Sequence, residues 1–141
     1  MALVVMPKVR SESERITKPE LHEVADSLLL YPEPSVVERA VKFVLAETQG
    51  LWHGRARAMM CRRLKHCSIT PAQSTRLVSC ITHRLFSGTF SEQFKDQLRL
   101  VMHLDLRKAL NVSAQCADSP KAHVRRYAQW VLSHEQSRSA P

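Results

Sequence analysis

Apolar residues recur at three- and four-residue intervals through most of the chain, and proline-marked capping sequences divide the recurrence into segments. Thr17-Lys18-Pro19-Glu20 combines an N-cap hydroxyl with a glutamate at N3. Leu21, Val24, Ala25, Leu28 and Leu29 behind it share one face, so the spacing predicts a first helix ending near Tyr31-Pro32. Ser35-Val36-Val37-Glu38 repeats the capping pattern after Pro34, with Val37, Ala40, Val41, Val44 and Leu45 as its apolar stripe and Gly50 as its stop. A third helix is predicted from Trp52 to His66, with Trp52, Ala56, Met60, Leu64 and then Cys67 inward. Thr70-Pro71-Ala72-Gln73 opens a fourth, carrying Leu77, Val78, Ile81 and Leu85 as far as Gly88. Ser91 caps a segment with Phe94, Leu98, Val101 and Met102 inward. Leu106, Ala109, Leu110 and Ala114 follow a weak break between His103 and Asp105, which leaves one bent helix or two. Ser119-Pro120 begins the last helix, with Val124, Tyr127, Ala128, Val131 and Leu132.

Helix starts near residues 19, 34, 52, 71, 91, 105 and 120 predict an all-α fold of six or seven short antiparallel helices, each of about 10 to 17 residues. No segment alternates at period two for long enough to form a strand. Short connections leave two architectures, stacked helical hairpins or a compact bundle. With 141 residues the chain is long enough for one core without a metal or disulfide. The expected division is a flexible segment at residues 1–16, one helical domain at 17–135 and a frayed tail at 136–141.

One stretch has a family likeness. Asp118 followed by Val124-Arg125-Arg126-Tyr127-Ala128-Gln129-Trp130-Val131-Leu132 resembles the second helix of a HEAT repeat, and Val36 to Val44, with Arg39, Ala40 and Val44, echoes it with the arginine one position late. The resemblance implies stacked helical hairpins and a partner bound on an extended face.

Charge changes the picture more than composition does. Residues 1–47 hold eight acids and six bases and residues 92–141 hold five and eight, but residues 48–91 hold seven bases and no acid. The net charge of +8 is thus concentrated in the middle of the chain. Arg55, Arg57, Arg62, Arg63 and Lys65 fall on the third helix, and Arg76 and Arg84 on the fourth. Arg55, Arg62, Lys65 and His66 point away from the Trp52 stripe, with Arg57 and Arg63 on its shoulders; Arg76, His83 and Arg84 point away from Leu77, Ile81 and Leu85. If the two helices pair as a hairpin, their outward faces merge into one positive surface that attracts acidic groups. The same charges also suit an ordinary solvated helix face.

Other chemistry is sparse. Met1 to Met6 is too short an apolar run, with its charges on the wrong side, for an export signal, and no apolar window reaches the length of a membrane span. Cys61, Cys67, Cys80 and Cys116 are therefore expected as reduced thiols in a cytoplasmic setting. Cys61 and Cys67 lie on different helix faces; Cys80 and His83 share one and could supply half a zinc site, but no Cys-x-x-Cys pair completes it, so no metal or cofactor is expected. His22-Glu23-Val24-Ala25-Asp26 carries aspartate where a zinc-protease helix needs its second histidine, and the three glycines form no phosphate-binding loop. Trp52 and Trp130 both sit at core-compatible positions. The expectation is a non-enzymatic helical interaction module whose Arg55, Arg57, Arg62, Arg63, Lys65, Arg76 and Arg84 face an acidic protein partner; the alternative is nucleic-acid binding through phosphate contacts by the same arginines.

Overall fold

The computed structural model describes residues 16–46, 52–90 and 93–139, with side chains as far as Glu135. The described residues form seven helices, α1 (Lys18–Leu30), α2 (Pro34–Leu45), α3 (His53–Leu64), α4 (Pro71–Ser87), α5 (Lys95–Leu104), α6 (Leu106–Cys116) and α7 (Ala122–Ser139). Among the described residues there is no strand, so the fold is all-α. The expected flexible segment lies outside the described residues except for Ile16, which is buried; α7 continues past Glu135 to Ser139.

The helix boundaries follow local chemistry. Thr17 Oγ1 accepts the Glu20 amide, and Pro19 stands in the first turn, where a missing N–H leaves no bond unmade. At α4 the reciprocal box is complete: Thr70 Oγ1 accepts the Gln73 amide at 3.1 Å, and Gln73 Oε1 accepts the Thr70 amide at 3.0 Å. Helix α4 stops at Gly88, which turns into the left-handed region at φ 75° and donates its amide to Arg84 and Leu85. A β-carbon there would lie 2.9 Å from Lys121 Cδ and 3.0 Å from Val124 Cγ2. Gly88→Ala should therefore lower stability by about 1–2 kcal/mol, read as a shift in the urea midpoint.

Two caps differ from expectation. Glu33, not Ser35, precedes α2, and Glu38 bonds across to α4 instead of closing a box; Ala46 then takes an extended conformation and ends the helix. The expected stops and caps at Gly50 and Ser91 lie outside the described residues. The open segment is two helices: Asp105 ends α5 and starts α6, its carboxylate accepting the Lys108 amide at 3.1 Å.

Helix contacts follow the chain in a zigzag. Helices α1, α3 and α5 pack side by side, as do α2, α4 and α6, and the two rows meet through α1 with α2, α2 with α3, α4 with α5 and α5 with α6. Helix α7 lies against α6 and α4. A single apolar core runs between the rows from Ile16 to Val131, with Phe43, Met60, Leu77, Ile81 and Phe94 fully buried near its middle. Each of these large side chains contributes roughly 1.5–3 kcal/mol through burial.

On α3 the buried stripe differs from the expected one. His53, Arg57, Met60, Cys61 and Leu64 face the core, while Trp52 remains 37 % exposed and Ala56 half-buried. His53 packs its ring edge-on to Phe43, centroids 5.4 Å apart, and its Nδ1 has no hydrogen-bond partner among the described residues. Burial, reinforced by the Arg57 charge, holds the imidazole below its ordinary 6.5 and so favours its neutral form in the fold. A group with a lowered folded value binds fewer protons folded than unfolded. Its contribution is complete above pH 6.5 and declines as pH falls below it toward the folded value. The melting temperature of the wild type should therefore drop more steeply between pH 6.5 and 5 than that of His53→Phe, as followed by circular dichroism.

Candidate functional site

The seven basic residues of the acid-free stretch do not form one surface, because α3 and α4 occupy different rows. Arg57 and Arg84 are buried, at 6 % and 5 % exposure, and this corrects the placement of Arg84 on an outward face, of Arg57 on a shoulder of the stripe, and of both against a partner. Both reach the C-terminus of α2. Arg57 donates to the Ala46 carbonyl at 3.3 Å and stacks over Phe43, while Arg84 donates to the Leu45 carbonyl at 3.0 Å and to Gln97 Oε1 at 2.8 Å. The last carbonyls of a helix lack intrahelical donors and carry the negative end of its dipole. Two inward guanidinium groups satisfy them.

Three more arginines are paired with acids from outside the acid-free stretch. Arg62 meets Asp96 at 2.8 Å, Arg63 meets Asp26 at 3.4 Å and also donates to the Ala25 carbonyl, and Arg76 meets Glu38 at 3.1 Å. The Gln73 amide, and after it Arg76, hold the Glu38 carboxyl below its usual range. Arg63 is only about a fifth exposed and joins α3 to α1. Arg55, exposed, and Lys65, half-buried, have no ion pair among the described residues.

What the rows do assemble is a composite of α3, α5 and α7. Arg55, Met59 and Arg62 stand at i, i+4 and i+7, one ridge along α3. Beside it, the buried Asp96 accepts from Arg62 through one oxygen and from Arg99, at 3.1 Å, through the other. Lys95 Nζ and Arg99 Cζ each lie 5.2 Å from the Trp130 ring. Trp130, expected in the core, is half-buried and carries two cations on its faces, with His134 edge-on at 4.7 Å. Lys95 and Arg99 lie outside the acid-free stretch and so escaped a reading based on charge density. Their i, i+4 spacing was the available signal.

A second feature lies on the other flank of α3. Between α1 and α3 runs an open groove of about 690 Å³, floored by Leu21, Ala25, Trp52, Ala56 and Met59 and rimmed by Lys18, His22 and Arg55. Among the described residues no carboxylate lines it. Lys18 Nζ lies 5.9 Å from the Trp52 ring, which anchors the rim to the floor.

Burial makes three of the four thiols less acidic than a free cysteine. Cys61 is fully buried, and desolvation, with Asp96 nearby, pushes it up to about 12; burial also raises Cys67 and Cys116. Under native conditions Ellman's reagent should modify half-buried Cys67 and Cys80 while Cys61 reacts only on unfolding, as mass spectrometry of labelled peptides would show. Cys80 Sγ lies 3.9 Å from the Leu45 carbonyl, and among the described residues no three His, Cys, Asp or Glu side chains converge on one point. Among the described residues, too, no helix is long and apolar enough to cross a membrane. Comparison with protein-family models, with curated proteins and with solved structures returned no match.

Proposed function

We propose that the protein is a non-enzymatic helical interaction module that binds an acidic protein surface along the outward ridge of α3 and the neighbouring face of α5. The Arg62, Asp96, Arg99 cluster carries this reading. Asp96 holds two guanidinium groups that remain about half exposed, at 54 % and 47 %, and each guanidinium has five N–H donors of which Asp96 engages a minority. Their orientation is set before a partner arrives, so less side-chain entropy is lost on binding. Lys95 on Trp130 and Arg55 on the same ridge extend the positive field, which speeds encounter with acidic surfaces. The zigzag of helix contacts supports a HEAT-like stack, and the four free cysteines support a reducing, cytoplasmic setting.

The reading is tested by affinity purification from cells with wild type and the double variant Arg55→Glu, Arg62→Glu, both checked for helicity. Loss of an acidic protein from the variant is the expected result. Equal recovery by both, or recovery of nucleic acid alone with an affinity that falls steeply with salt, would contradict it.

A further inference from the structure

We infer that the groove between α1 and α3 receives an amphipathic helix of a partner protein, its apolar face on Trp52, Ala56 and Met59 and its acidic residues beside Lys18 and Arg55. The inference rests on the proposed function and names the form in which the acidic partner docks.

The walls dictate the conformation of the occupant. Both are helices whose backbone groups bond internally, so neither offers a free edge to an extended peptide. An extended segment seated there would leave its own amides and carbonyls without protein partners, whereas a helix satisfies them itself. Groove length agrees. Trp52 to Met59 spans about two turns of α3, roughly 10 Å, which matches apolar positions i, i+3 or i+4, and i+7 of a docked helix.

Charge selects the sign. The rim carries Lys18, Arg55 and His22 and, among the described residues, no carboxylate, and Trp52 is a half-open aromatic of the kind that anchors interfaces. A basic helix would be repelled, and a neutral one would leave the rim cations unpaired as they lose water.

A library of random peptides of roughly 16 residues, long enough for four helical turns, displayed on phage and selected against the full chain, assumes no ligand. Enriched peptides should place aspartate or glutamate around an apolar stripe of helical period. Measured by fluorescence anisotropy, they should lose about tenfold or more in affinity toward Ala56→Phe, which fills the groove without changing its charge, and toward Arg55→Glu. Circular dichroism and melting curves must match wild type for both variants. Enrichment of nothing, or of basic or proline-rich peptides, overturns the inference. Acidic peptides that bind Ala56→Phe normally but fail on Arg62→Glu overturn the groove and leave the α3 ridge standing. Peptides indifferent to all three variants overturn both.

Discussion

Arg84→Met should unfold about 3 kcal/mol more easily than wild type, a larger loss than most surface or single-methylene changes produce. The side chain is 5 % exposed and its guanidinium links three elements, donating to Leu45 at the end of α2 and to Gln97 on α5 from its place on α4. Methionine restores much of the volume but neither donor. The buried Gln97 amide oxygen is then left without a partner and the half-buried Leu45 carbonyl keeps only the weak Cys80 thiol contact, a cost of about 1–3 kcal/mol for each lost bond, and the end of α2 loses a favourable charge. Arg84→Lys should recover only part, because a single ammonium does not reach two acceptors as the fork does. Urea titration followed by circular dichroism measures all three proteins. A loss under about 0.5 kcal/mol for Arg84→Met would place the side chain in water.

The second large effect concerns Asp96. Replacing it with alanine should reduce stability by about 2 kcal/mol, since two charge-assisted bonds disappear, one joining α3 to α5 through Arg62 and one within α5 to Arg99, although the freed arginines are half exposed and regain water. Its effect on binding runs against simple electrostatics. Removing a negative charge from a basic face strengthens long-range attraction to acidic groups, yet Arg62 and Arg99 lose the carboxylate that positions them. Under the proposed function, affinity for the acidic partner should fall several-fold while the salt dependence steepens. Isothermal titration of the recovered partner at two salt concentrations reads both quantities.

Helix boundaries were legible wherever the signal was local. Thr17, Thr70 with Gln73, and Gly88 act over three or four residues, and each forms the bond its chemistry implies. Asp105 resolves a break that hydrophobic spacing alone left ambiguous, because one aspartate ends one helix and caps the next. Ser35 misled because Pro34 already occupies the first helical position and Glu38 is drawn to Gln73 and Arg76 on α4.

The arginines were harder to place because their partners are remote. Arg57 and Arg84 point inward only where the carbonyls of Leu45 and Ala46 terminate α2, a coincidence of tertiary structure that no periodicity encodes. Helical spacing correctly puts Arg55 and Arg62 on one exposed ridge. It fails to say that the ridge adjoins α5, which supplies Asp96, Lys95 and Arg99, in place of α4. A run of cations without acids therefore marked the helix that carries the surface but not the residues that complete it. Three of the seven cations of the acid-free stretch are paired in space with Asp26, Glu38 and Asp96, each far from it in sequence or on a different helix.

The division of these arginines between core, ion pairs and surface depends on α3 lying beside α5. A double-mutant cycle on Arg62 and Asp96, with Arg62→Ala, Asp96→Ala and the pair measured in urea, tests that neighbourhood directly. A coupling of about 1 kcal/mol or more is the result this arrangement requires; strictly additive losses, with coupling under about 0.3 kcal/mol, would contradict it.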